Sequence, residues 1–149
     1  MNFSRLDVDD YFLNIAKLVG NRSTCSRRQV GCVLVDSQNH IVSTGYNGVI
    51  KGATHCLDVP CQGAKAPSGT DLDECFAVHA EMNALLQLRS DDVLTAYLTT
   101  TPCFSCAKVI GNSKIQKLVA LEWYPAKHVK DILEQAKISI EINEVEICQ

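Results

Sequence analysis

The 149-residue sequence predicts an α/β fold, a three-layer α-β-α arrangement around one mixed five-stranded sheet. Three observations predict it. Segments with helical spacing of apolar residues alternate with short apolar runs in the order α-β-β-α-β-α-β-α-β. The first two strands are joined by a short polar turn, so they pair antiparallel. Every later strand is followed by a helix before the next, so those strands pair in parallel through crossovers, which lay helices over both sheet faces.

Each element has its own signal. Residues 9–19 carry Tyr11, Phe12, Ile15, Leu18 and Val19 at helical spacing, with Asp9 as the expected cap and Gly20-Asn21 as the stop. Residues 30–36 are a compact apolar strand, Ser37-Gln38-Asn39 is a turn, and residues 40–46 are its hairpin partner, closed by the loop Gly45-Tyr46-Asn47-Gly48. Residues 50–74 show no clean period and hold Gly52, Pro60, Gly63, Pro67 and Gly69, a loop long enough to need a cause such as function or a metal clip. A helix over 78–88 presents Ala80, Ala84, Leu85 and Leu88 on one side, and residues 93–99 form a strand. Pro102 opens a helix over 103–110 that Gly111 ends. A short strand over 118–121, a helix over 126–136 and an alternating strand with Ile138, Ile140 and Ile142, extending toward Val145 and Ile147, complete the chain.

Composition narrows the function classes. With 46% apolar and 21% charged residues the chain has ordinary globular usage, and its length suits one domain spanning residues 1–149. A net charge of −3 weighs against a nucleic-acid partner. No apolar run approaches the roughly 18 residues of a membrane span. Residues 1–10 carry acids and lack the apolar stretch of a secretory signal, so a cytoplasmic protein without a membrane partner is expected.

Eight cysteines, at 25, 32, 56, 61, 75, 103, 106 and 148, then require an explanation other than disulfides. The strongest chemical signal is His79-Ala80-Glu81 followed by Pro102-Cys103-Phe104-Ser105-Cys106. Cysteines three apart at a helix start can turn both sulfurs to one point, and His79, opening the preceding helix, can reach it from the other side. Three such ligands suit zinc and leave the fourth position for water, the mark of a catalytic site. Glu81 lies about 200° around the helix from His79, so it is expected beside that position as a proton carrier rather than as a ligand. A lone C-x-x-C is more often structural zinc or a redox pair. The joint pattern is far more specific, because H-x-E…P-C-x-x-C is the known signature of zinc deaminases.

On these residues the chain resembles the cytidine deaminase superfamily and, within it, the deoxycytidylate branch. The resemblance is carried by Arg22-Ser23-Thr24-Cys25, Gln29-Val30-Gly31, Gly45-Tyr46-Asn47-Gly48, His79-Ala80-Glu81-Met82-Asn83-Ala84, residues 97–107 and Trp123-Tyr124. It implies zinc-dependent hydrolysis of dCMP to dUMP and ammonia, supplying dUMP for thymidylate synthesis. It further implies His79, Cys103 and Cys106 as zinc ligands, Glu81 as the catalytic proton shuttle and Asn47 at the sugar. The Ala80 N–H would meet the pyrimidine carbonyl, Thr101 would line the substrate and Tyr124 would stand near the 5′-phosphate. Arg22, Arg27 and Arg28 are the densest basic cluster. Such a cluster is usually a solvated face, but here it is a candidate phosphate handle, with Arg27 as the substrate-binding candidate.

Cys25, Cys56, Cys61 and Cys75 remain around the long loop. They fit a second, closed structural zinc, with His55 as an alternate to Cys56, and the resemblance extends to family members that carry one. Buried reduced thiols are the plainer alternative. Cys32 and Cys148 are bystanders in this reading. The resemblance also implies a homo-oligomer, often a hexamer, activated by dCTP and inhibited by dTTP. A regulatory dNTP, with Mg2+, would bind at Gly45, Tyr46, Asn47 and Gly48. The competing functions are another nucleotide, nucleoside or tRNA adenosine deaminase of the same superfamily, and a zinc-stapled binding module without chemistry.

Overall fold

The computed structural model describes residues 4–144; the expected strand extension at Val145 and Ile147, and Cys148, lie outside the described residues. One five-stranded sheet has the order β2-β1-β3-β4-β5, with β1 Gly31–Val35, β2 Ile41–Tyr46, β3 Thr95–Leu98, β4 Lys117–Ala120 and β5 Ser139–Ile142. β1 pairs antiparallel with β2 and β3, and β3, β4 and β5 are parallel, so the sheet is mixed as expected.

The alternation of side chains sorts the strands into two cores. Val33, Val35, Tyr97 and Val119 face α1, Val8–Gly20, and meet Phe12, Leu13 and Ala16. Cys32, Leu34, Ala96, Leu98, Leu118 and Ala120 face the other way. They pack under α2 Ala80–Gln87, α3 Phe104–Gly111 and α4 Val129–Gln135, through Ala80, Ala84, Ala107, Ile110, Val129 and Leu133. Both parallel crossovers therefore run over the same face.

Several boundaries move for physical reasons. The cap of α1 is Asp7, not Asp9: the Asp7 side chain accepts the Asp9 N–H at 2.9 Å, while Asp9 accepts the Tyr97 hydroxyl at 2.6 Å. Pro102 lies outside α3, because Cys103 is the extended N-cap and the first helical residue is Phe104. Residues 126–128 are not helical; His128 turns left-handed (φ 62°) before α4 starts. The long loop contains two short 3-10 turns, Gly63–Lys65 and Leu72–Glu74.

Two glycines let helices come close to the hairpin. A Cβ on Gly31 would sit 1.9 Å from the Ala16 carbonyl oxygen of α1. One on Gly45 would sit 2.3 Å from the Ala80 carbonyl oxygen and 2.4 Å from the Ala84 nitrogen, so Gly45 sets how deeply α2 seats on β2. The buried Ser43 hydroxyl ties the same two elements by donating to the Ala84 carbonyl at 2.6 Å. Gly45→Ala is expected to destabilise by about 1–3 kcal/mol, through forced displacement of α2. Urea unfolding measures it, and an unchanged midpoint would contradict the close packing.

Candidate metal centre

One edge of the sheet gathers the N-terminal end of β1 and the C-terminal ends of β2, β3 and β4. In α/β sheets this carboxyl edge is where ligands bind. Here it delivers Cys25, Arg27, Arg28, Val30, Asn47 and Tyr124 to one cleft, lined at its floor by His79, Ala80, Glu81, Thr100, Thr101 and Cys103.

His79 is the N-cap of α2 and Cys103 the N-cap of α3, and neither side chain caps its own helix. Both are turned to a common point instead. The His79 Nδ1 lies 3.5 Å from Cys103 Sγ and 3.3 Å from Cys106 Sγ, and the three ligand atoms all lie within 4.8 Å of one another. Among the described residues this is the group of three or more His, Cys, Asp or Glu side chains assembled so tightly. One imidazole and two sulfurs are the donor set that suits zinc.

Hydrogen bonds among the three groups shift their proton affinities in opposite directions. Hydrogen bonding from Cys106, with help from His79, holds the Cys103 thiol down to about 4. The Cys106 thiol, engaged with Cys103 and desolvated, is pushed well up. The hydrogen bond to Cys103 raises His79. Glu81 is only 5% exposed, and burial raises its carboxyl above the ordinary range.

The other expected site residues fall into place unevenly. Asn47 is buried at the cleft wall; its Oδ1 accepts the Val30 N–H and its Nδ2 donates to the Arg28 carbonyl, both at 2.8 Å. Ala80 lines the floor, and as the first residue of α2 its N–H has no partner within the helix. Tyr124 stands at the cleft wall, its hydroxyl 2.9 Å from where a Cβ on Gly69 would lie. The Gly45-Tyr46-Asn47-Gly48 segment is divided: Asn47 faces this cleft, while Gly45, Tyr46 and Gly48 line a separate groove with Arg22, Lys51 and His55.

The three arginines separate as well. Arg22 lies in that second groove. The Arg27 Nη1 donates to the carbonyls of Gly63, Pro67 and Thr70, so this side chain fastens the long loop to the cleft. Arg28 pairs with Glu122 and stacks 5.5 Å from the Tyr124 ring centroid.

The loop cysteines are neighbours without forming so tight a group. Cys25, Cys56 and Cys61 are buried and Cys75 is half-buried. Burial opposes the Cys61 thiolate, but the Phe76 and Ala64 N–H groups with the Cys56 and Cys75 thiols hold it below its ordinary value. His55 is exposed and lines the second groove, whereas Cys56 is 1% exposed, which favours Cys56 of the two. Cys32 is sealed in the core, as a bystander would be.

Sequence reasoning did not single out Thr100 or Glu122. Thr99 Oγ1 accepts the Gly31 N–H at 3.1 Å and Thr101 Oγ1 accepts the Tyr124 N–H at 2.7 Å. Thr100 Oγ1 is, among the described residues, the buried side-chain oxygen without a partner. Three adjacent threonines look alike in sequence, so only packing could separate them. Removing an unpaired buried hydroxyl is nearly neutral, whereas removing a paired one strands its partner at about 1–3 kcal/mol. Thr100→Val is therefore expected to keep the unfolding midpoint and Thr101→Val to lower it; equal losses would contradict the assignment.

Comparison with known proteins agrees with this geometry. A family model described as "Cytidine and deoxycytidylate deaminase zinc-binding region" matches residues 6–122. The deoxycytidylate deaminase of Mycobacterium phage D29 is 40% identical over 123 residues, covering 78% of this chain and 95% of that protein. That of Schizosaccharomyces pombe is 37% identical over 138 residues, covering 89% of this chain; the chain spans only 42% of that protein's length. The crystal structure of dCMP deaminase from cyanophage S-TIM5, in complex with dCMP and dUMP, superposes with a TM-score of 0.76 at 24% identity. It covers 95% of this chain and 100% of its own, and it shows the same fold.

Proposed function

Because the chain belongs to the cytidine and deoxycytidylate deaminase family, and carries that family's zinc-binding region, we propose that it deaminates dCMP hydrolytically. Water adds to the aminopyrimidine ring, and the exocyclic amine leaves as ammonia to give dUMP, a precursor for thymidylate synthesis. The observation that carries this reading is the buried Glu81 carboxyl bordering the His79, Cys103 and Cys106 group in one cleft. A purely structural zinc site needs no carboxylate there. Relatives that bear the deoxycytidylate deaminase name support the choice of substrate.

His79, Cys103 and Cys106 would hold zinc, which when bound supplies the Lewis acidity that makes hydroxide available near neutral pH. Glu81, whose proton affinity burial raises, takes one proton from water and delivers it to the ring nitrogen, where it stays, and then moves a second from the added hydroxyl to the leaving amine. The free Ala80 N–H meets the pyrimidine carbonyl, Asn47 meets the sugar, and Tyr124 closes the side of the cleft.

A second, closed zinc held by Cys25, Cys56, Cys61 and Cys75 would pin the loop that roofs the cleft. The mutual contacts of Cys61 with Cys56 and Cys75 support it. The groove of Gly45, Tyr46 and Gly48, with Arg22 and Lys51 for phosphates, is the candidate seat of a regulatory dNTP with Mg2+. A homo-oligomer is the expected assembly, with dCTP activating and dTTP inhibiting; flat activity across both titrations removes the regulation.

The test is ammonia release from dCMP, deoxycytidine, cytidine and tRNA, with metal counted on the same protein. dCMP is expected to rank first, with two zincs per chain. Glu81→Gln is expected to retain zinc and lose at least about 100-fold in rate. No ammonia from dCMP, or full activity in the Glu81 variant, would contradict the mechanism. Cys61→Ser is expected to lower the count from two zincs to one; a wild-type count of one would leave the loop cysteines as thiols.

A further inference from the structure

The long loop narrows the cleft that it roofs. Ser68, Gly69 and Leu72 line the cleft from the loop. The water-accessible space left inside is about 80 Å³. Small-molecule sites commonly hold about 300–1,000 Å³. The cleft must therefore widen to admit a nucleotide. Strand ends and helix N-termini form its other walls, so the loop is the wall able to move.

The neck of this loop is fixed. Gly63 and Cys75 meet so closely that a Cβ on Gly63 would lie 2.7 Å from the Cys75 Cα. Residues 64–74 thus leave and return at one place, as a compact surface loop does. The tip is held far less. Residues 67–71 are exposed. Among the described residues, every hydrogen bond that links residues 66–71 to the chain outside residues 63–75 comes from Arg27. Its Nη1 donates to the Pro67 carbonyl at 3.4 Å and to the Thr70 carbonyl at 3.0 Å. Gly69, left-handed at φ 86°, rests against the cleft wall, where a Cβ would lie 2.9 Å from the Tyr124 hydroxyl. One guanidinium holds the tip down, and one bare glycine lets it reach Tyr124.

We propose that residues 66–71 are a lid over the cleft, with Arg27 as its latch and the Gly69–Tyr124 contact as its closing edge. The lid moves on the Gly63–Cys75 neck. Open, it admits the nucleotide; shut, it keeps bulk water from the cleft floor. Arg27 is then a positioning residue that acts through the loop, in place of the substrate contact expected from the sequence. The inference rests on the deaminase reading only for the identity of the ligand.

The experiment uses zinc-loaded wild type, Arg27→Ala and Gly69→Ala. Trypsin cleavage after Lys65, at the start of the lid, is followed by mass, with and without saturating dUMP. Cleavage after Lys114, which precedes β4 at the opposite edge of the sheet, is the control. The same preparations give kcat and KM for dCMP and deoxycytidine, and thermal unfolding checks each variant. Cleavage after Lys65 tracks the population of the open lid. dUMP is expected to slow it about tenfold. Arg27→Ala is expected to speed it about tenfold without ligand, leaving Lys114 unchanged, because bonds from a charged donor are lost. Arg27→Ala is also expected to lower kcat for both substrates by the same factor. Gly69→Ala is expected to lower kcat for both at least about threefold. Unchanged Lys65 cleavage in Arg27→Ala, or no protection by dUMP in protein that deaminates dCMP, overturns the lid. A loss confined to dCMP makes Arg27 a substrate contact and overturns the latch. Wild-type kcat in Gly69→Ala overturns the closing edge. If wild type releases no ammonia from either substrate, the deaminase reading fails by itself, and cleavage in ligand-free Arg27→Ala still decides the lid.

Discussion

The N-termini of α2 and α3 converge on one point, and the site follows from that convergence. At each terminus the N-cap position, normally given to a side chain that satisfies the helix's own free N–H groups, is given to a metal ligand. The first turns thus forgo a capping bond worth roughly 1 kcal/mol each. In exchange, free N–H groups and the positive end of each helix face a thiolate, an imidazole and a buried carboxyl. The sheet makes this possible. β2, β3 and β4 end on one edge, Gly45 lets α2 lie against β2, and the helices after β2 and β3 begin close to one another.

Around that point the chain divides its labour between neighbouring residues. Thr99 and Thr101 lock the strand end to Gly31 and Tyr124, while Thr100 between them stays unpaired. Asn47 faces the cleft, and the flanking Gly45, Tyr46 and Gly48 face a different groove. Arg27 fastens the roof, while Arg28 pairs with Glu122 at the rim. A period-two change of direction in extended backbone is enough to send adjacent side chains to separate tasks.

The same fact explains what was legible in the sequence. Apolar periodicity reports which face of an element is buried, so all four helices and five strands could be anticipated, and with them the two-faced sheet. The metal ligands were legible because zinc demands particular residue types at fixed spacing. Cap positions were less so: Asp7 and Asp9 both suit a cap, and the Tyr97 hydroxyl decided between them by claiming Asp9. The start of α4 was masked because residues 126–128 continue its pattern while His128 adopts a left-handed conformation. The anchoring of Arg27 depends on carbonyls supplied by Gly63, Pro67 and Thr70, more than 30 residues away, which no local pattern encodes.

The most direct measurement is X-ray absorption at the zinc edge, on protein whose Cys56 and Cys61 have been replaced by serine, loaded with one equivalent of zinc. Two sulfurs at about 2.3 Å with nitrogen or oxygen neighbours at about 2.0–2.1 Å are expected from His79, Cys103 and Cys106. A shell of four sulfurs, or protein that binds no zinc, would contradict the convergence of the two helices on a metal.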